Sequence, residues 1–215
     1  MKHLVICGAG AFGRELYYHA KESIGYGTEW DIKGFLDGSV SLPKKEYNKL
    51  PLPLLGNYKE YCIANNDVFI CAVGSPAGKK DFVEIIEQKG GEFINVIHKS
   101  CIIHETAKLG KGIILCPFTY VFADAILDDF TSLEVRAGIG HDAHLGKYSS
   151  MMGYTELCGF VNVGTSVYIG SGARVLPQLK IGDNSFVGAG SVVIVDVEEN
   201  NKVFGNPART VGKTN

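Results

Sequence analysis

The chain has little of what marks several large classes of protein. Among its 215 residues Lys and Arg total 21 against 23 Asp and Glu, for a formal net charge of −2. No surplus of positive charge is available to hold nucleic acid or an anionic membrane as the main partner. No apolar run reaches the ~18 residues of a membrane-spanning helix, and no basic start leads into an apolar stretch as in a secretory leader. The location expected is therefore the cytoplasm. The six cysteines, Cys7, Cys62, Cys71, Cys101, Cys116 and Cys158, contain no CxxC pair. Their mostly apolar surroundings suit free thiols better than disulfides or zinc, and no metal is expected.

What is present is a count of six. Stepping by six from Ile103 through Leu109, Leu115 and so on to Val193 meets an aliphatic side chain at every step. Four places later in each unit, from Ala107 to Val197, the residue is small or branched. A strict hexapeptide repeat marks a parallel β-helix, because each short strand buries too little alone and must stack on the next coil. Three hexads make one triangular coil, the large aliphatic inside and the small residue where two faces meet. Glycine directly after the aliphatic (Gly110, Gly140, Gly146, Gly164, Gly170, Gly182, Gly188) is expected to relieve tight backbone angles at corners. About five coils at strand spacing near 4.8 Å predict a prism roughly 25 Å long. A β-sandwich would instead need period-two alternation and hairpin loops of variable length.

The residues before the repeat follow another rule. A short apolar run, residues 3–7, ends in Gly8-Ala9-Gly10-Ala11-Phe12-Gly13, and the helix-like RELYYHAKES follows. Strand, glycine turn and helix form the context in which GxGxxG lets backbone amides and a helix N-terminus approach a diphosphate. A second strand, DIKGFLD, ends at Asp37, whose carboxylate could accept hydrogen bonds from a ribose or base. Later strands are predicted at 67–73 and 92–97 with a helix between them, and the Pro-rich stretch 38–56 reads as an irregular loop near the site. The region is small for a full dinucleotide fold, so a nucleotide or nucleotide sugar held by one half-site fits better than NAD. A glycine turn that merely packs helix on strand is the bland alternative. The predicted division is a Rossmann-like α/β half-domain over 1–99, a left-handed β-helix over 100–197 and a tail over 198–215.

Inside the repeat the ionisable outlier is IGHDAHLG. His141 occupies the third place of its hexad, past the corner glycine, so its side chain should point outward. Its neighbours one coil before and one coil after are Ala123 and Gly159, both small, which leaves an open slot where an amine or hydroxyl could approach. An imidazole can take that proton at neutral pH. Asp142 or Glu134, one hexad earlier, could orient the ring. His144 falls elsewhere on the coil and reads as surface or packing, and an exposed corner histidine without function is the plain alternative for His141.

GAGAFGRE, GFLD, INVIHKS, IGHDAHLG, VLPQLKIGDNSFVGAGSVV and GNPAR, in that order, resemble the sugar O-acyltransferase family that includes sialic acid O-acetyltransferases and the N-acetyltransferases of UDP-4-amino-sugars. The resemblance implies a homotrimer of left-handed β-helices with acetyl-CoA between neighbouring prisms. It implies His141 as general base for direct attack of a sugar nitrogen or oxygen on the thioester, in surface glycan or polysaccharide synthesis. The family's nucleotide-sugar contacts fall on Gly10, Ala11, Phe12, Asp37 and Gly74, beside Gly8 and Gly13 of the same loop. Its acetyl-CoA contacts fall on Ser150, Gly159, Ser171 and Ala189. Ser171 and Ala189 share the hexad place of His141 and, being three hexads apart, lie on one prism edge. The chain departs from the N-acetylating members at Phe12, Gly38, Glu134 and Ser150. A non-catalytic nucleotide-sugar-binding trimer and an acyltransferase using another donor stay open as alternatives.

Overall fold

The structure is a computed structural model that describes residues 1–38 and 48–214. The chain divides into two compact units, Met1–Lys99 and Ser100–Asn215.

The first unit is a five-stranded parallel sheet. Its strands are β1 (Lys2–Cys7), β2 (Trp30–Asp37), β3 (Leu54–Asn57), β4 (Asp67–Cys71) and β5 (Glu92–Phe93), in the order β3-β2-β1-β4-β5. β1 lies in the middle and is fully buried from Leu4 to Cys7, as its unbroken apolar run requires of a parallel strand covered on both faces. Helix α1 (Ala11–Lys21) buries Gly13, Leu16 and Ala20, and α2 (Pro76–Gln88) buries Val83 and Ile86. Apolar residues at helical spacing put one stripe of each helix into the core. β3 was not predicted. Its first three residues lie inside the stretch read as loop, where Pro51 and Pro53 mask it, and proline is tolerated at the start of an edge strand. Residues 39–47 of that stretch lie outside the described residues.

The second unit is a left-handed parallel β-helix. Two-residue strands stack three hexads apart into three sheets, as in Ile139 on Leu157, Leu145 on Val163 and Met151 on Ile169. We call these the first, second and third sheets. From Leu115 onward the inward aliphatics are at most 1% exposed through Val193, the pattern expected when each coil is capped by the next. About five coils form, as the repeat predicts.

Two details differ from the expected prism. The corner glycines after the aliphatic do not have left-handed backbone. That conformation falls two places later, at every sixth residue from Gly112 to Gly190, most of them not glycine, from Phe118 at φ 62° to Asn184 at 57°. The corner glycines are needed for room instead: a Cβ on Gly146 would stand 2.5 Å from the backbone of Gly164 in the next coil. The last coil is also cut short. Val197, predicted as a small corner residue, bridges Ile181, and the third sheet continues from Val187 to Val203. The predicted tail there forms a hairpin of Asn201–Gly205 and Ala208–Lys213.

Candidate functional site

In the first unit the carboxyl ends of β1, β2 and β4 surround a cavity of about 390 Å³ lined by Gly8, Gly10, Ala11, Phe12, Asp37 and Gly74, with Phe82. Open parallel sheets bind ligands at this end. A second cavity, of about 470 Å³, sits around Lys2, Ile24, Trp30 and Ile94 toward the other end of the strands and contains none of the predicted residues. The glycines divide by what they face. Gly8 has φ +109°, and a Cβ on Gly13 would lie 1.9 Å from the carbonyl oxygen of Gly8, so helix α1 can approach the loop only without a side chain there. Gly13 thus serves packing and does not line the cavity. Gly10 and Gly74 have no atom within 4 Å of where a Cβ would stand, which leaves room for another molecule beside the backbone.

Gly10 is also the N-cap of α1, and among the described residues no side-chain cap hydrogen bond is made there. α2 is capped by Ser75, whose hydroxyl accepts from the Gly78 N–H. Uncapped amides and the positive end of the helix dipole favour an anion at α1. Asp37 is buried, and its Oδ2 accepts from the Ala9 N–H at 2.8 Å. At least one carboxylate oxygen therefore shapes the glycine loop, a role the sequence reading assigned to a ligand. Sequence reasoning also missed Phe82, which lines this cavity, and Tyr58 and Asp81 beside it. None of the three belongs to a motif.

In the second unit His141 and Asp142 follow the first sheet at an exposed corner, and the ring Nδ1 lies 2.8 Å from Asp142 Oδ2. An N–H at Nδ1 donated to the carboxylate leaves the lone pair on Nε2. The ring crosses directly over Gly159, where a Cβ would stand 2.6 Å from Nε2 and Cε1. Phe160 packs edge-on at 5.2 Å and 89°. Asp142 holds φ 59°, a conformation that aspartate tolerates better than most residues. This backbone aims its carboxylate back at the preceding ring.

The other predicted residues lie elsewhere on the chain. A hexad step turns the chain by one face, so only residues a whole number of coils apart share a corner. Glu134 follows the third sheet, where its charge adds to burial in raising the Tyr168 pKa. It is not on the corner of His141. Ser171 and Ala189 are exposed and stack on one another, with the Gly190 N–H donating to Ser171 O at 2.8 Å. They too follow the third sheet. Ser150 is fully buried and its hydroxyl accepts from Ser132 at 3.1 Å, so it offers no surface to a ligand in this state. His144 pairs with Asp128 at 2.9 Å. Among the described residues no three His, Cys, Asp or Glu side chains gather as metal ligands, and no helix is long and apolar enough to cross a membrane.

Comparison with known proteins adds a family to this geometry. A family model described as bacterial transferase hexapeptide (six repeats) matches residues 160–194. The chain is 26% identical over 97% of its length to a GDP-perosamine N-acetyltransferase of Escherichia coli O157:H7, covering 96% of that protein. A serine acetyltransferase of Arabidopsis thaliana is 33% identical over half of the chain, which spans only 29% of the plant protein. Among solved structures, the acetyltransferase domain of PglB from Neisseria gonorrhoeae in complex with acetyl coenzyme A superposes with a TM-score of 0.85 at 25% identity, over 98% of this chain and 99% of that one. A perosamine N-acetyltransferase from Caulobacter crescentus shares the fold at a TM-score of 0.86 and 23% identity, over 99% and 98% of the two chains.

Proposed function

We propose that this chain transfers the acetyl group of acetyl-CoA to an amino or hydroxyl group of a nucleotide-activated sugar, in the synthesis of a surface glycan or polysaccharide. The observation that carries the reading is the His141–Asp142 pair at a corner cleared by Gly159. Asp142 holds the ring in one orientation with Nε2 as the free base. The acceptor nitrogen or oxygen attacks the thioester carbon, and its proton passes to Nε2. The new C–N or C–O bond forms, the C–S bond breaks, and the departing thiolate takes the proton from the imidazolium as CoA–SH. Both reactants must be held together for this direct transfer, since no covalent enzyme intermediate divides it.

The acceptor's nucleotide belongs in the cavity of Gly10, Ala11, Phe12, Asp37 and Gly74, with its diphosphate at the N-terminus of α1. Acetyl-CoA belongs along a prism edge of small residues, Gly159 on the corner of His141 and Ser171 and Ala189 on the next. Those two edges are separate within one protomer. A homotrimer, in which an edge of one prism faces a different edge of its neighbour, would let both serve one site. Glu134 follows the same sheet as Ser171 and Ala189, so within one chain it lies a corner away from His141.

The test is thiol release from acetyl-CoA with a panel of GDP-, UDP- and CMP-linked amino sugars and free sialic acid, with sedimentation to read the assembly. One acceptor should turn over, and His141→Ala should lower kcat by roughly 10²- to 10⁴-fold. Turnover that survives the substitution removes His141 as base. If no acceptor reacts and acetyl-CoA does not bind, the enzyme reading falls.

A further inference from the structure

The cavity of the first unit has a wall that no motif announces. The Tyr58 ring lies on Phe82 with centroids 3.8 Å apart and planes inclined by 24°. Its hydroxyl donates to the Asp81 carboxylate, and its backbone N–H donates to Asp37 O at 3.3 Å. The Lys89 ammonium donates to the carbonyl oxygens of Tyr58, Lys59 and Tyr61 at 3.0, 2.6 and 3.2 Å, which pins the segment to the end of α2. Gly38 is required by this arrangement, since a Cβ there would stand 1.8 Å from Tyr58 Cε1. Burial, helped by the bond to Asp81, pushes the Tyr58 pKa well up and keeps it a neutral donor. Tyr58 is only 4% exposed, so Phe82 is the member of the pair that faces the cavity, which it shares with Phe12 and Asp37.

A ring held this firmly loses little freedom on binding a second flat group. With a diphosphate on the α1 amides, the nucleoside extends toward Asp37 and Phe82. We propose that Phe82, backed by Tyr58, stacks on the nucleobase and makes this site prefer purine over pyrimidine nucleoside diphosphates. The two fused rings of a purine overlap a phenyl face more fully than the single ring of a pyrimidine, and stacking grows with that overlap. The inference deepens the nucleotide reading given above and rests on it.

The experiment is calorimetric titration of the full chain with GDP, ADP, UDP and CDP, repeated on Phe82→Leu, which keeps apolar bulk, and on Phe82→Tyr, which keeps the ring. GDP and ADP should bind about 10-fold more tightly than UDP and CDP. Phe82→Leu should weaken the purine nucleotides by about 10-fold and the others by less than about 3-fold, and Phe82→Tyr should retain the preference. Equal affinity for purines and pyrimidines in the unmodified chain, or equal losses for all four in Phe82→Leu, overturns the proposal. Purine nucleotides that bind as expected while no sugar is acetylated leave this inference standing and sink the transferase reading. Acetyl transfer to a free sugar without binding of any of the four does the reverse.

Discussion

His141 meets Gly159 because the two are three hexads apart in a chain that stacks every three hexads, whereas Tyr58 meets Phe82 across strand β4 and the start of helix α2 with no spacing to announce it. The prism builds its corner by arithmetic. A residue's hexad place sets whether it points in or out, and the place of its hexad within the coil sets which corner it occupies. The α/β unit builds its cavity from the ends of separate strands, so each wall residue is placed by the packing of whole elements. A repeat therefore identifies single residues early but divides them among corners. A sheet edge gathers residues that look unrelated.

Substitutions at glycine set the two architectures against each other. The largest effect is expected for Gly13→Ala, which drives a Cβ into the Gly8 carbonyl at 1.9 Å and should cost about 3 kcal/mol or more, because both partners are backbone. Trp30 is the only tryptophan of the chain and is buried in the first unit. Its fluorescence during urea unfolding reports this loss directly, and an unchanged midpoint would mean that helix α1 can move off the loop. Gly146→Ala should cost less, about 2 kcal/mol. One coil can tilt slightly away from the Gly164 backbone at 2.5 Å. Circular dichroism during thermal unfolding measures it, and a loss equal to that of Gly13→Ala would show the prism to be as rigid as the glycine loop. The smallest effect is expected on the outside of the prism. Arg136 sits 5.7 Å from the Phe118 ring and 5.5 Å from the Tyr154 ring, one coil to either side. Arg136→Ala should cost under about 1 kcal/mol by the same thermal measurement, as exposed cation–π contacts do. A larger loss would mean that these outer columns share in holding the coils together.

Much of the prism was legible in advance because inward and outward are decided by period. The burial of Leu115 through Val193 follows from counting, and so does the meeting of the His141 ring with Gly159 one coil on. The left-handed position was not legible. Phe118, Asp124, Arg136, Tyr148 and Ser166 share no side-chain chemistry, and the few glycines and Asn184 at that phase give only a faint signal. The nearness of Glu134 to His141 was misjudged for a geometric reason, since one hexad along this chain is a third of a turn away. In the first unit Gly8, Gly10, Ala11, Phe12, Asp37 and Gly74 were identified from motif and resemblance and line one cavity, which Gly13 of the same loop does not. β3 was hidden because Pro51 and Pro53 read locally as loop, while its pairing to β2 is decided by the sheet. Tyr58 was invisible because nothing near it in the chain predicts that Gly38 would make space for its ring.

The shortening of the last coil, in which Val197 rather than residue 199 stacks on Ile181, has a consequence for how such a protein can change. The prism carries a reading frame of its own. A single inserted residue in an early coil would turn every later aliphatic out of the interior, much as a frameshift garbles a message downstream. Growth is confined to whole hexads, to loops that leave and rejoin a corner in phase, or to the far end. There the count is already broken, and only the closing hairpin is left to be misread.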